Sequence, residues 1–157
     1  EAAKIIKEKL NNINFILIGS EDHENISNIS LNFIKRKYNK YIIYHKFSNN
    51  IIEYIENCDC AILPSYREGT SRFLLEAASI GRPLIATNVP GCNNIVFDNF
   101  NGFLCEKSNV NSLCNAIEAM INTKIDVREK MSINSRKIIE NHFDVQEINN
   151  RILNQIY

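Results

Sequence analysis

Two carboxylates, Glu68 and Glu76, flank the stretch Gly69-Thr-Ser-Arg-Phe-Leu-Leu75. The loop that carries the first reads Pro64-Ser-Tyr-Arg-Glu-Gly-Thr-Ser-Arg72 and runs directly into a helix-forming segment. A helix start offers unpaired backbone N–H groups and the positive end of the macrodipole, and both favour an anion. Gly69 lets backbone approach a phosphate closely, Thr70 or Ser71 can cap the helix, and Arg72 adds a fixed positive charge, so a diphosphate suits this loop. The same Gly-Thr-Ser also reads as a plain turn and N-cap. Glu76 lies in Phe73-Leu-Leu-Glu-Ala-Ala-Ser-Ile80, which is apolar on nearly every face and should be buried. A carboxylate in such a helix needs a partner, either the hydroxyls of a ligand or, more plainly, a buried Arg or a capped backbone. Glu68 precedes the helix, so the two carboxylates address one crevice from different depths. That arrangement suits gripping a polyol at two places.

The elements that must position these groups alternate along the chain. Residues 1–10 read as helix, Phe15-Ile-Leu-Ile18 as strand, 26–38 as helix, 41–44 as strand, 50–57 as a short helix and 60–63 as strand. Helix follows at 71–80, stopped by Gly81 and Pro83, then strand at 84–86. Asn101-Gly102 reads as a turn before a small strand at 103–104, and helices are predicted over 110–122, 127–141 and 145–157. Strands alternating with helices imply an α/β, Rossmann-like parallel sheet with helices on both faces. Ligands of such sheets collect at the carboxyl ends of the strands, where three loops qualify: 19–24, 64–72 and 87–94. No repeat or linker divides the chain, so residues 1–157 are expected to form a single domain.

Composition narrows the function classes. Lys plus Arg and Asp plus Glu are 18 each, so no net field draws a polyanion such as nucleic acid. The five cysteines form no CxxC pair and no ligand spacing with His23, His45 or His142, which suits reduced thiols in the cytoplasm. No apolar run reaches the ~20 residues of a membrane span. Glu21-Asp-His-Glu24 reads as a solvated charge cluster rather than a metal site. The chain opens inside a helical pattern, so further protein is expected upstream.

Residues 68–76 resemble the EX7E motif of glycosyltransferase family 4, whose members retain anomeric configuration and have the GT-B architecture of two facing Rossmann-like domains. The resemblance runs on through Asp59-Cys-Ala-Ile-Leu-Pro-Ser65, Glu76-Ala-Ala-Ser-Ile-Gly-Arg-Pro-Leu-Ile-Ala-Thr87, Val89-Pro-Gly-Cys92 and Asn101-Gly-Phe-Leu104. It identifies the chain with the C-terminal, donor-binding domain of enzymes that extend bacterial polysaccharides or lipid-linked saccharides. It implies that Glu76 holds the ribose hydroxyls of a nucleotide-sugar, most simply a UDP-sugar, and that Glu68 acts at the donor sugar near the reacting carbon. The amides of Gly69, Thr70, Ser71 and Arg72 would touch the diphosphate. Gly19 matches the family's glycine beside the nucleotide, and Phe47 and Ser48 follow the strand where relatives meet the base. The diphosphate would leave from the front face with no dedicated protein nucleophile, no cofactor and no metal.

Two departures accompany the resemblance. Asn93-Asn94 stand where many relatives carry a Glu, so a contact there would become neutral and donor preference would shift. The family's phosphate-gripping Arg and Lys precede the first helix of this chain, and the acceptor domain is absent, so the chain alone is expected to be inactive. The last helix, about 144–157, would suit packing against that acceptor domain. Any membrane contact would be made by the parent protein, peripherally at the inner face. A different reading is a non-catalytic nucleotide-sugar-binding module completed by a partner chain; about 200 residues of upstream coding sequence would argue against it. A sugar-nucleotide epimerase of the same fold would need a different acid pair.

Overall fold

The computed structural model describes residues 1–21, 29–146, 149, 153 and 154. They group into two compact units, residues 1–51 and 52–157.

The first unit holds helix α1 (Ala2–Lys9), strand β1 (Ile16–Ile18), helix α2 (Leu31–Tyr38) and strand β2 (Ile43–His45). β1 and β2 pair in parallel, with Leu17 opposite Tyr44. Ser30 caps α2 by accepting the Phe33 N–H at 3.2 Å. The Glu1 carboxylate accepts from Lys37 Nζ at 2.9 Å and from the Tyr38 hydroxyl, tying the start of α1 to the end of α2. These contacts hold the Glu1 carboxyl down at about 2, the Tyr38 hydrogen bond contributing most and Lys37 next. Ile6 and Tyr38 are buried, but Ile16, Leu17 and Ile43 in the strands stay open to solvent. The strand expected at 41–44 lies at Ile43–His45, because the amides of Tyr41 and Ile42 are taken by Tyr38 at the end of α2.

Helix α3 (Ile51–Glu56) starts at the boundary, and the second unit continues with strand β3 (Ala61–Leu63), helix α4 (Arg72–Ser79), strands β4 (Leu84–Thr87) and β5 (Gly102–Cys105), and helices α5 (Val110–Asn122) and α6 (Ile125–His142). The sheet is parallel throughout in the order β3-β4-β5. All four residues of β4 are buried, as a central strand covered on both faces requires. α5 matches its predicted span because Asn109 caps it, accepting the Ser112 N–H at 3.0 Å, while Cys114, Ile117 and Met120 bury one stripe. α6 lies against α4, with Arg136 Nη1 donating to the Ser79 carbonyl at 2.7 Å.

Asn101-Gly102 is more than the expected turn. Gly102 is the first residue of β5 and faces Leu84, whose carbonyl carbon and oxygen fill the space a side chain would need. Asn101 is fully buried; its amide donates to the Ile95 carbonyl at 2.9 Å and its Oδ1 accepts the Phe97 N–H at 2.7 Å. A buried amide satisfied on both atoms fixes the loop that returns the chain to β5. The helix predicted over 145–157, apart from positions 145, 146, 149, 153 and 154, and all of 22–28 ahead of α2 lie outside the described residues.

Candidate functional site

At the carboxyl end of β3 the chain turns through residues 64–71 into α4. Ser71 is the N-cap of α4: its Oγ accepts the Leu74 N–H at 3.4 Å, and the residue is buried. Its own N–H donates to the Gly91 carbonyl at 3.4 Å. Ser71 is thus engaged through both side chain and amide. Among the described residues the amides of Gly69, Thr70, Arg72 and Phe73 have no hydrogen-bond partner. Four unspent donors around one helix start form the kind of concavity that receives an anion. Phe73 was not among the residues expected there; its membership follows from its place in the first turn, where no carbonyl lies four residues back within the helix.

The carboxylates stand at either end of this run. Glu68 is half-buried, and its Oε1 accepts from Ser65 Oγ at 2.7 Å, which orients the side chain across the turn. Glu76 differs from its sequence expectation. α4 is only eight residues long, with Leu74, Ala77 and Ala78 buried, and the Glu76 side chain keeps 32% exposure. Its partner is an arginine, but one on the same helix surface: Arg72 Nη2 lies 3.5 Å from Glu76 Oε1. Arg72 itself is 90% exposed, so this pair is weak, and a cation in the first turn of a helix also opposes the macrodipole. Arg72 is therefore an exposed charge beside the amides, paired only with Glu76 among the described residues.

The 89–92 turn after β4 sits directly beneath the loop. A Cβ built on Gly91, whose φ is +86°, would lie 1.7 Å from the Gly69 carbonyl oxygen and 2.7 Å from that of Glu68. Cys92 next to it is fully buried; burial pushes its thiol up, and the charge of Glu68 pushes the same way. Asn93 Nδ2 donates to Asn88 Oδ1 at 3.0 Å, so one of the two asparagines at 93–94 is held by its own loop.

The remaining candidates belong to the first unit. Gly19 follows β1; its N–H donates to the His45 carbonyl at 3.2 Å and its carbonyl accepts from the Tyr44 hydroxyl. Nothing lies within 4 Å of where a Gly19 Cβ would stand, so its outer face is open. Phe47 is exposed at 69%, and Ser48 Oγ accepts the Asn50 N–H at 3.1 Å. Because β1 and β2 are parallel, Gly19 and the 46–48 segment leave the same end of that sheet. Of the 21–24 cluster only Glu21 is described, and its carboxylate accepts the Leu31 N–H at the start of α2. Among the described residues no helix is long and apolar enough to cross a membrane.

Parallel strands alternating with helices define a Rossmann-like α/β class of domain, with a loop of unpartnered amides at the carboxyl end of β3. The chain belongs to the family described as glycosyl transferases group 1, whose model matches residues 1–138. It is 31% identical over 148 residues to the capsular polysaccharide biosynthesis glycosyltransferase CapM of Staphylococcus aureus, covering 94% of this chain and 38% of CapM. It is 33% identical over 150 residues to an Escherichia coli UDP-Gal:alpha-D-GlcNAc-diphosphoundecaprenol alpha-1,3-galactosyltransferase, covering 92% of this chain and 37% of the enzyme. Its fold is that of Anabaena HepE, solved with UDP, at a TM-score of 0.85 and 22% identity over 99% of this chain and 43% of HepE. The chain therefore spans well under half the length of these proteins, and it shares its α/β fold with the C-terminal domain of a glycosyl transferase group 1 family protein from Francisella tularensis, at a TM-score of 0.76 and 22% identity over 92% of this chain and 76% of that one.

Proposed function

We propose that this chain is the nucleotide-sugar-binding half of a retaining glycosyltransferase of family 4, acting in bacterial polysaccharide or lipid-linked saccharide synthesis. The observation that carries the reading is the pairing of two carboxylates, Glu68 and Glu76, around a helix start with four unspent amides. The donor is a UDP-sugar: the E. coli relative is named for UDP-Gal, and the HepE structure that shares this fold holds UDP. Glu76 takes the ribose hydroxyls in place of its exposed contact with Arg72, and the freed guanidinium turns to the diphosphate. The amides of Gly69, Thr70, Arg72 and Phe73 stabilise charge that builds on the leaving diphosphate, a gain largest in the transition state. Glu68, oriented by Ser65, meets the donor sugar beside the reacting carbon.

Departure of the diphosphate and attack by the acceptor occur on one face of the sugar, with no protein nucleophile and no metal. The acceptor is bound by the rest of the parent protein, so the chain alone does not transfer sugar. A calorimetric panel of UDP-, GDP- and ADP-sugars against the full-length parent tests the reading. The expected result is selective binding of UDP-sugar, weakened about 10- to 100-fold by Glu76→Ala, the scale of one lost charged hydrogen-bonding partner. Equal binding by the variant would remove Glu76 from the site.

A further inference from the structure

We infer that the 89–92 turn is a positioning element for the 64–71 loop, and that Gly91 sets where Glu68 and the neighbouring amides stand. The inference rests on the reading of that loop as the donor site. Two contacts converge on the loop from this turn. The Gly91 backbone lies so close to Glu68 and Gly69 that any Cβ would strike two of their carbonyl oxygens. The Gly91 carbonyl accepts the Ser71 N–H, one residue before α4 begins.

Rigidity decides which side gives way. The turn is anchored by Val89, Cys92, Ile95 and Val96, all buried, whereas Gly69 and Thr70 on the loop are exposed. A methyl group at Gly91 therefore displaces the loop rather than the turn. The displacement moves Glu68 and the Gly69 amide together and leaves Glu76, further along α4, in place. Gly91 acts only through those groups and touches no substrate.

Gly81 supplies the control. Its φ of +77° puts an alanine there under backbone strain like that at Gly91, yet its Cβ would meet only the Ser132 carbonyl, the oxygen at 3.4 Å and the carbon at 3.9 Å. Gly91→Ala and Gly81→Ala are made in the full-length parent, with Glu68→Gln beside them, and donor-saturated transfer is measured where each is folded. Gly91→Ala is expected to lower kcat about 100-fold, the scale of an ångström-sized misplacement, with donor KM changed far less. Gly81→Ala is expected to lower kcat by less than about threefold. If Gly91→Ala and Gly81→Ala turn over alike while Glu68→Gln is impaired, the positioning inference is wrong and the site reading stands. If Glu68→Gln transfers at the parental rate, the site reading itself has failed. Should Gly91→Ala not fold, amide hydrogen exchange in the unaltered parent decides. Slower exchange at Ser71 than at Thr70 supports the brace, and equal exchange overturns it.

Discussion

After β1, the backbone of Gly19 is spent on both sides, its N–H on His45 and its carbonyl on Tyr44. After β3, the amides of Gly69 and Thr70 have no partner among the described residues, and a second turn holds them from below. The sheets behind these loops differ in the same sense. β4 is buried over its whole length, while Ile16, Leu17 and Ile43 in the first pair remain exposed. An anion site needs donors that the fold leaves unused and a frame stiff enough to keep them so. The loop after β3 has unpartnered amides and a frame of buried residues behind it, whereas the loop after β1 has open space next to a glycine whose N–H is already spent.

The sharpest way to break this contrast is to compare one residue from each side in the full-length parent. Glu68→Ala is expected to reduce transfer about 100-fold or more, in the range of a lost transition-state contact, and Ser48→Ala by less than about threefold. Comparable losses in steady-state rate would dissolve the distinction. Burial gives a second test, independent of function. Ile85→Ala in β4 should cost about 2–5 kcal/mol in urea unfolding, and Ile43→Ala, 46% exposed, below about 1 kcal/mol. Capping gives a third: Ser71→Ala should lower unfolding free energy by about 1 kcal/mol through loss of the α4 cap, more than Ser48→Ala, which caps no helix of comparable length.

The smallest effect belongs to the first unit and is read by pH. The folded Glu1 carboxyl titrates at about 2, below its ordinary 4.5. Its contact with Tyr38 and Lys37 thus adds stability above pH 4.5, and that contribution fades as pH falls through 4.5 toward 2. In an NMR titration, Tyr38→Phe should move the Glu1 midpoint up toward 4.5, since the Tyr38 hydrogen bond is the largest cause of its depression. An unmoved midpoint would remove that tie between α1 and α2.

What the sequence made legible follows from how local each cause is. α5 was readable because Asn109 and a regular apolar stripe define a helix within one window of residues. The cap of α4 was readable only as Thr70 or Ser71, and the structure selects Ser71. β5 was understated, since a glycine that opens a strand looks like a turn until Leu84 of the neighbouring strand is seen against it. Glu76 was expected deeper, because apolar neighbours on all faces suggest burial; an eight-residue helix emerging from a surface loop leaves that turn part-exposed. Gly91 escaped notice as a site residue, because its approach to Glu68 and Gly69 joins distant stretches of chain. Only its place in a Pro-Gly turn hinted at it.

The four amides around the start of α4 carry one more consequence. Peptide N–H groups belong to the main chain, so exchanging the side chains of Thr70, Arg72 or Phe73 deletes none of them. The amide part of the loop is silent in an alanine scan, and residue type at Thr70 or Phe73 can drift while those donors persist. Only chemistry that alters the peptide link itself, proline at position 70 or an ester in place of that amide, removes a donor and makes the site speak.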